Sequence, residues 1–259
     1  MFEARLTNAS TLKKIVESIK DLVSEVNLEA APTGLSMQAM DSSHVALVCL
    51  DLQCGGFEEY RCDRNMALGM SIANLSKIIK CCGNDDIVTL KAEEDPSVIT
   101  FTFEGKSQDK ISEFNLNLLN IDTEQLGIPE TEYKASVTFS SAEFSRICRE
   151  LNQISDTVTI DVTKESVHFG VVSQEVGKGS VTLRANDSEK PEDQVLLEVE
   201  DPVSLGFALR YLNLFNKSAA LSSTVNLSLS PEVPLVVSFE IKELGSLKFY
   251  LAPKISDEQ

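Results

Sequence analysis

Apolar residues recur at intervals of three and four along several segments, and this spacing predicts amphipathic α-helices. Side chains at such intervals lie on one face of a helix, where a core can bury them together. Segments with this pattern are separated by stretches of a different period. The four predicted helices run over about Ser10–Leu22, Ile72–Cys82, Ser140–Ile154 and Leu209–Ser218.

Between these helices, apolar residues alternate with polar ones or form short continuous runs, as in β-strands. None of these runs approaches the ~18 apolar residues of a membrane-spanning helix. Strands separated by helices in this manner predict an α+β fold with predominantly antiparallel sheets. Predicted strands are Leu35–Met40, Val45–Leu50, Ile87–Leu90, Val98–Phe103, Val158–Val162, Val195–Val199, Val225–Leu229 and Leu235–Ile241.

The two halves of the chain repeat one pattern. Adding 132 to the apolar positions of the first helix gives apolar positions of the third, and strand positions Leu28 and Leu35 map onto Ile160 and Val167. We therefore expect two similar domains, each with two helices and about eight strands. The helix positions related in this way are Leu12, Ile15, Val16, Ile19 and Leu22, and Phe144, Ile147, Cys148, Leu151 and Ile154.

A connecting segment separates the halves and lacks any regular apolar period. The stretch Leu118–Tyr133 contains four acidic residues and no Lys or Arg, and Gly127 and Pro129 interrupt any helix or strand. Connections of this length are commonly functional or disordered. We expect an N-terminal domain over 1–117, a connecting loop over 118–134 and a C-terminal domain over 135–259.

The charge of the chain is unevenly distributed. Its 259 residues include 23 Lys+Arg and 40 Asp+Glu, a formal net charge of −17, which argues against a surface that coats nucleic acid or anionic membrane. The four predicted helices nevertheless carry nine bases and only four acids, which leaves −22 on the rest of the chain. The nine bases are Lys13, Lys14, Lys20, Lys77, Lys80, Arg146, Arg149, Arg210 and Lys217.

Pairs of these bases lie three or seven residues apart, as in Lys77 and Lys80, so each pair shares a helix face broadly opposite the apolar one. For any single helix, an ordinary solvated face explains such a pair. Four helices of one sign in an acidic chain favour a shared anionic target. Lys and Arg side chains suit phosphate contacts, which carry no sequence information.

Catalytic and metal-binding motifs are scarce. The sequence has no G-x-G-x-x-G, Walker, H-E-x-x-H or G-x-S-x-G motif. His44 and His168 lack zinc-ligand spacing, and no pair of the six cysteines has C-x-x-C spacing, so we expect reduced thiols. Asp41–His44 is interpreted as a turn between strands. Met1–Arg5 has no apolar core of a signal peptide, so we expect no secretion.

Seven short motifs resemble the proliferating cell nuclear antigen family of eukaryotic DNA sliding clamps, in order and over essentially the whole chain. The resemblance implies a clamp fold and a non-enzymatic homotrimeric ring of six similar domains, with helices lining the hole, no cofactor and a nuclear location. The motifs are Met1–Arg5, Met40–Val45, Tyr60–Asn65, Gly127–Glu130, Arg146–Arg149, Ala208–Asn213 and Leu247–Ile255.

The resemblance also implies partners: duplex DNA through the ring, replicative DNA polymerases, the clamp loader, flap endonuclease, DNA ligase and proteins of mismatch repair and translesion synthesis. DNA contacts are implied for the nine bases above and for Arg61 and Arg64. Partner peptides with a short docking motif are expected at Met40, His44, Val45, Leu47, Leu126, Ile128, Pro129, Pro234, Tyr250, Ala252, Pro253 and Ile255.

Two further sets are implied by the resemblance alone. Lys164 stands at the position that the family uses for ubiquitin attachment, and the strand Lys110–Leu116 of one copy is expected to pair with Gly179–Arg184 of the next. Residues expected at this subunit interface are Ile78, Cys81, Lys110, Phe114, Cys148, Leu151, Ile154 and Val181.

Three other interpretations remain open from the residues. A checkpoint clamp subunit would form a heterotrimer. An acidic adaptor would use its basic helices to bind an acidic protein and would not depend on DNA topology. A hydrolase would use His44 with nearby serines, and its turnover would be abolished by His44→Ala.

Overall fold

The computed structural model describes residues 1–107, 109–122, 126–128 and 131–254. The chain folds into two compact units, which are considered separately. The first is formed mainly by Met1–Ser42 and Val48–Gly127, and the second mainly by Ile128–Glu240.

The first unit contains two helices and nine strands in its described part. A short 3₁₀ turn, Cys54–Gly56, precedes its fifth strand. The elements are β1 (Phe2–Leu6), α1 (Ser10–Ile19), β2 (Glu25–Ala31), β3 (Gly34–Met40), β4 (Ala46–Gln53), β5 (Glu59–Cys62), β6 (Met66–Ser71), α2 (Ile72–Ile79), β7 (Ile87–Ala92), β8 (Val98–Glu104) and β9 (Ile111–Asn117).

The second unit has the same elements in the same order over its described residues. A 3₁₀ turn, Asn216–Ala220, follows its second helix. The elements are β10 (Ala135–Ser140), α3 (Ser141–Leu151), β11 (Thr157–Val162), β12 (Ser166–Ser173), β13 (Gly177–Arg184), β14 (Leu196–Val199), β15 (Val203–Ala208), α4 (Leu209–Phe215), β16 (Thr224–Leu229), β17 (Leu235–Ile241) and β18 (Gly245–Leu251).

The sheets repeat as well. The strand orders of the first unit are β5-β1-β7-β8-β9 and β4-β3-β2-β6, and those of the second are β14-β10-β16-β17-β18 and β13-β12-β11-β15. Adding nine to each strand number converts one set into the other. Neighbouring strands run antiparallel, as where Phe2 lies opposite both Cys62 and Ala92. The predicted duplication and α+β class are confirmed, with nine strands per unit where about eight were expected.

The predicted helices are too long at their C-terminal ends. Each α-helix gives way to a tighter turn closed by an i→i−3 hydrogen bond, such as that from the Leu22 N–H to the Ile19 carbonyl at 2.9 Å. The last predicted helix likewise ends at Phe215 and continues as the 3₁₀ turn. Such turns are common at helix ends, and they keep apolar residues three apart on one side. The apolar period therefore extends beyond the α-helix.

The core of each unit lies between its two sheets, and a helix spans both of them. In the second unit α3 contacts β10 and β16 of one sheet and β12 and β13 of the other. Phe139, Phe144 and Phe169 meet there with ring centroids 5.8–6.4 Å apart, and all three are almost completely buried. Aromatic pairs at these separations stabilise the core beyond the area that they bury. The apolar face of α3 is thus fully used by the core.

Arg5, on β1, bonds to side chains from β7, from β8 and from the turn before β5, all in the β5-β1-β7-β8-β9 sheet of the first unit. Its guanidinium donates to both carboxylate oxygens of Glu104 at 3.0 Å, to Thr89 at 3.1 Å and to Glu58 at 3.0 Å. The hydrogen bond with Arg5 holds the pKa of the Glu104 carboxyl below its usual range. Bidentate Arg–carboxylate pairs have well-defined geometry, so this pair is expected to contribute to stability.

Glu104→Gln is expected to lower the free energy of unfolding by about 1 kcal/mol at neutral pH. Because the pKa of Glu104 is depressed in the folded protein, its contribution is present above the usual carboxyl pKa of about 4.3 and is lost as the pH falls through the lower folded value. Urea unfolding across this range should show the difference from wild type shrinking on acidification. Glu3→Gln, which removes a longer 3.6 Å pair with Lys91, is the control; an identical pH profile for both variants would contradict the assignment.

Candidate nucleic-acid and partner interfaces

Three bases of the first unit lie around a groove between α1 and α2. The groove has a volume of about 300 Å³ and is lined by Lys13, Lys14 and Lys80, together with Glu17 and apolar or small residues of both helices. The two helices are held together at their ends, since the Ser10 N–H donates to the Asn84 carbonyl at 3.0 Å. This contact fixes the start of α1 beside the loop that follows α2.

Lys13 has a structural role in this arrangement. Its ammonium donates to the Cys82 carbonyl at 2.5 Å and to the Asn84 side-chain oxygen at 3.0 Å, just beyond the end of α2. A cation near the C-terminus of a helix is favourable, because the last carbonyls carry partial negative charge. Lys13 therefore joins the two helices and is less available to a phosphate than its neighbours.

The other lysines of this helix pair differ in their partners. Lys20 lies 2.5 Å from the Glu17 carboxylate, whereas Lys77 donates only to the neutral side chain of Asn74 at 3.2 Å. Lys14 and Lys80 are exposed, and their ammonium groups have no hydrogen-bond or ion-pair partner among the described residues. Since α2 contains no acidic residue, Lys77 and Lys80 are, with Lys14, the helix bases of this unit most available to an anion.

The second unit has an equivalent helix pair. On α3, Arg146 lies between Glu143 at 2.6 Å and Glu150 at 3.5 Å, while Arg149 is exposed one turn from the pair. Arg210 on α4 stacks over the ring of Tyr211, 4.8 Å from its centroid. Cation–π stacking leaves the outer edge of a guanidinium free to donate, so Arg210 remains able to contact an anion.

These ion pairs weaken the positive faces without removing them. Exposed pairs contribute only about 0–1 kcal/mol, so an incoming phosphate can replace the carboxylate. The pairs of Lys20 and Arg146 follow i,i+3 and i,i+4 spacing with Glu17, Glu143 and Glu150. That spacing was the sequence signal from which the pairing could have been predicted.

Arg61 and Arg64 do not lie on a helix. Arg61 is in the edge strand β5 and makes two hydrogen bonds to the Asp63 carboxylate, at 2.8 and 3.1 Å. Arg64, in the turn that follows, contacts Asp95 at 3.0 Å. Bonding to Arg61 lowers the pKa of the Asp63 carboxyl, so this acid stays ionised beside the two arginines. Both arginines are therefore neutralised locally, unlike Lys77 and Lys80.

Several of the residues expected to bind partner peptides occur together in the second unit. The Ala252 N–H donates to the Val45 carbonyl at 3.1 Å, which brings the residues after β18 beside His44 and Val45. His44 has φ +56°, as expected for a turn. Leu47 is buried, whereas Val45, Ile128, Tyr250 and Pro253 are half-buried, and His44, Pro234 and Ala252 are exposed.

The remaining expected peptide-binding residues are more dispersed. Met40 and Leu126, in the first unit, expose 37% and 40% of their surface, which is high for large apolar side chains. Pro129 and Ile255 lie outside the described residues. An exposed apolar side chain is ordinary by itself, but Leu126 lies in the acidic connecting segment and offers an anchor point to an apolar partner.

A polar cleft next to Tyr250 was not predicted from the sequence. It lies on the β10–β16–β17–β18 face, has a volume of about 460 Å³ and is lined mainly by hydroxyl and amide side chains. Asn226 donates to Ser136 at 2.8 Å and to Thr138 at 2.9 Å and accepts from Ser228 at 2.9 Å. The side-chain amide of Asn226 is thus committed to internal bonds. Finding this cleft required knowledge of which strands are neighbours.

The expected subunit-contact strands are both edge strands. Within the described residues, β9 closes one sheet of the first unit and β13 closes one sheet of the second, each with one side unpaired. Ile111 on β9 exposes 68% of its surface, and Val172 and Val176, beside β13, expose 63% and 65%. Unpaired edges with exposed apolar side chains are templates for adding another strand.

The expected interface residues on α3 have different surroundings. Cys148 and Leu151 are 1% and 3% exposed, so they belong to the core of their own unit, and burial raises the pKa of the Cys148 thiol to about 12. Ile154 is half-buried and lies over Gly179 of β13, where an added Cβ would come within 2.6 Å of it. Ile154 therefore connects the end of α3 to the edge strand. Ile78, Phe114 and Val181 are half-buried, and Cys81 and Lys110 are exposed.

Lys164 occupies the turn between β11 and β12 and is exposed. The hydroxyl of Thr163 accepts from the backbone N–H groups of Glu165 and Ser166, at 3.3 and 3.2 Å, and so orders this turn. The Lys164 side chain is thus presented on a defined turn.

Neither a metal cluster nor a membrane-spanning helix occurs in the described part of the chain. No group of three or more His, Cys, Asp or Glu side chains there is arranged to hold a metal ion. No helix there is long and apolar enough to cross a membrane.

Comparison with protein-family models gives two matches. The model described as the N-terminal domain of proliferating cell nuclear antigen matches residues 1–126, and the model described as the C-terminal domain matches residues 127–254. The two matches are adjacent and together cover residues 1–254 of the 259.

Lys77→Glu combined with Lys80→Glu is expected to weaken duplex DNA binding about tenfold or more at low salt, because two bases without acidic partners are reversed. The slope of log affinity against log salt should become shallower by roughly 0.9 for each phosphate that is no longer neutralised. Fluorescence anisotropy with a labelled duplex over a salt series measures both quantities. Lys242→Glu, the same change at a 91% exposed side chain outside the helices, is the control, and equal weakening in both proteins would contradict the assignment.

Proposed function

Because this chain belongs to the proliferating cell nuclear antigen family of DNA sliding clamps, we propose that three copies close into a ring around duplex DNA and tether replicative polymerases to it. The observation that carries this proposal is the charge on the helices. Bases occupy the exposed faces of α1, α2, α3 and α4 in a chain whose net charge is −17. The proposed ring directs these faces toward DNA and the acidic remainder away from it.

A ring removes the need for tight contacts. Non-specific DNA binding has a Kd of roughly 10⁻⁴ to 10⁻⁶ M, and association near ~10⁸ M⁻¹s⁻¹ then implies dissociation at about 10² to 10⁴ per second. Such contacts alone cannot retain a polymerase during long synthesis, whereas closure around the duplex can. Weak contacts then allow sliding, which is consistent with the partial neutralisation of Lys20 and Arg146 by nearby carboxylates.

Ring closure is proposed to join β9 of one copy to β13 of the next. Support comes from their unpaired edges and from the exposed Ile111, Val172 and Val176 beside them. Main-chain hydrogen bonds across such a joint satisfy groups that the isolated chain leaves to solvent. We propose three copies on the strength of the family, with the domain limits 1–117 and 135–259 and the connecting loop 118–134.

Partner proteins are proposed to dock beside the connecting segment. The half-buried Ile128, Val45, Tyr250 and Pro253 supply apolar surface, and the acidic loop attracts basic residues that flank a docking motif. The proposed occupant is a short helical turn with one aliphatic and two aromatic anchors. The proposed partners are DNA polymerases, the clamp loader, flap endonuclease, DNA ligase and proteins of mismatch repair and translesion synthesis.

Lys164 is proposed as a site of ubiquitin attachment, and the nucleus as the location of the protein. The exposure of Lys164 on an ordered turn supports the first proposal, because a modifying enzyme must reach the amine. The proposed function includes no catalytic step, since the family acts as a non-enzymatic clamp.

Topological retention tests the ring directly. After loading on nicked circular DNA by a clamp-loader ATPase, the protein is expected to remain on the closed circle in moderate salt and to leave rapidly after a single cut linearises the circle. Gel filtration of the DNA before and after cutting measures the bound fraction. Protein that stays on the linear DNA is held by affinity, and this outcome would overturn the ring.

Ile128→Ala is expected to weaken binding of a docking-motif peptide about tenfold, because it removes one half-buried apolar anchor. Isothermal calorimetry measures the affinity, and the linearisation assay confirms that DNA retention is unchanged. Leu196→Ala, which truncates a 45% exposed side chain on β14, is the matched control. Unchanged peptide affinity in the Ile128 variant would refute this docking surface.

A further inference from the structure

The start of the connecting segment is fixed to the sheet of the first unit by three hydrogen bonds. The Leu118 N–H donates to the Ser97 carbonyl at 2.9 Å, and the Leu119 N–H donates to the Gly69 carbonyl at 2.8 Å. The side-chain amide of Asn27 donates to the Ile121 carbonyl at 2.9 Å. The last of these bonds is the only one of the three that depends on a side chain.

Asn27 and Gly69 together allow the connecting segment to contact β6. They lie directly opposite each other where β2 pairs with β6, and Asn27 is only 4% exposed. A Cβ on Gly69 would come within 2.1 Å of the Leu119 carbonyl oxygen and 2.8 Å of the Asn27 side-chain oxygen. Only glycine at position 69 therefore lets the connecting segment approach β6 while Asn27 reaches past it to Ile121.

The side-chain amide of Asn27 is buried. A side-chain amide buried to this extent is costly unless it is hydrogen-bonded. Asn27 instead directs a donor to a backbone carbonyl 94 residues later, just outside the regular strands. This bond orders residues 118–121 at the base of the segment.

The far end of the same segment is also fixed. The Lys134 carbonyl accepts from the Glu200 N–H at 2.8 Å, and the Lys134 ammonium contacts the Glu200 carboxylate at 2.8 Å. Ile121 and Lys134 are thus each held by contacts with described residues of their own unit. Ile128, the apolar anchor assigned above, lies between these two ends.

We propose that Asn27 and Gly69 are positioning residues for partner docking: they hold the start of the connecting segment in the conformation that binds the docking peptide. Neither residue touches the peptide. A peptide that binds only the ordered conformation has an apparent affinity reduced by the fraction of protein in that conformation. Loss of the Asn27 bond lowers this fraction and weakens docking without altering the helices. The inference rests on the proposed docking of partners at this segment.

Asn27→Leu tests the inference, because leucine has nearly the same shape but cannot donate to Ile121. The expected result is a threefold to tenfold weaker affinity for a docking-motif peptide, about the effect of one hydrogen bond. Amide exchange at Leu119 should become faster, whereas DNA retention and oligomer size should match wild type. Asn186→Leu, which removes a side-chain bond to the Val195 N–H in a loop of the second unit, is the control and should leave peptide affinity unchanged.

Gly69→Ala should disturb the start of the connecting segment while Asn27 is retained, because the added Cβ displaces the Leu119 carbonyl. It is expected to weaken peptide binding and to speed Leu119 exchange as Asn27→Leu does. Faster exchange with unchanged peptide affinity in both variants would overturn the positioning role, as would unchanged exchange in both. Failure of the wild-type protein to bind the peptide would instead refute partner docking itself, so the two failures are distinguishable.

Discussion

Each unit of this protein must bury one face of a helix against two sheets at once, and this requirement determines where the charges lie. Ile72 and Ile79 of α2, which contacts β6 and β9 of the two sheets, are at most 2% exposed, and Phe144 and Ile147 of α3 are completely buried. A helix with one face committed to the core can carry bases only on its other side. A helix is packed against both sheets in each unit, so the same burial requirement explains the positive helix faces of both units.

Burial also explains which features could be predicted from the sequence. The α+β class, the duplication and the helix faces followed from apolar spacing, because a core imposes that spacing on any chain that fills it. Helix ends did not follow, since the turn after α1 keeps Leu22 buried beside Ile19 and so continues the apolar period beyond the α-helix. The i,i+3 spacing of Glu17 and Lys20 predicts their ion pair, but a count of positive and negative residues on the helix does not reveal it.

Features that depend on distant residues needed the structure. The bonds of Lys13 to Cys82 and Asn84, about seventy positions away, could not be predicted from the spacing that places it among the expected DNA contacts. The match of Asn27 with Gly69 requires β2 to pair with β6 and the chain to return past both at Leu119. No local pattern marks either contact. Residues assigned through the family resemblance alone, such as Tyr250 and Lys164, carry no signal of their own in composition or period.

The unpaired edges of β9 and β13 have a consequence for the protein before it assembles. A single protomer displays two rows of free backbone donors and acceptors beside the apolar Ile111, Val172 and Val176, which is the arrangement that promotes non-native strand addition and aggregation. Exposed charged side chains at Lys110 and Lys178 oppose such pairing. Newly made chains therefore stay soluble where homo-oligomers form faster than non-native strand pairs, so the concentration of the protomer affects both its solubility and its assembly.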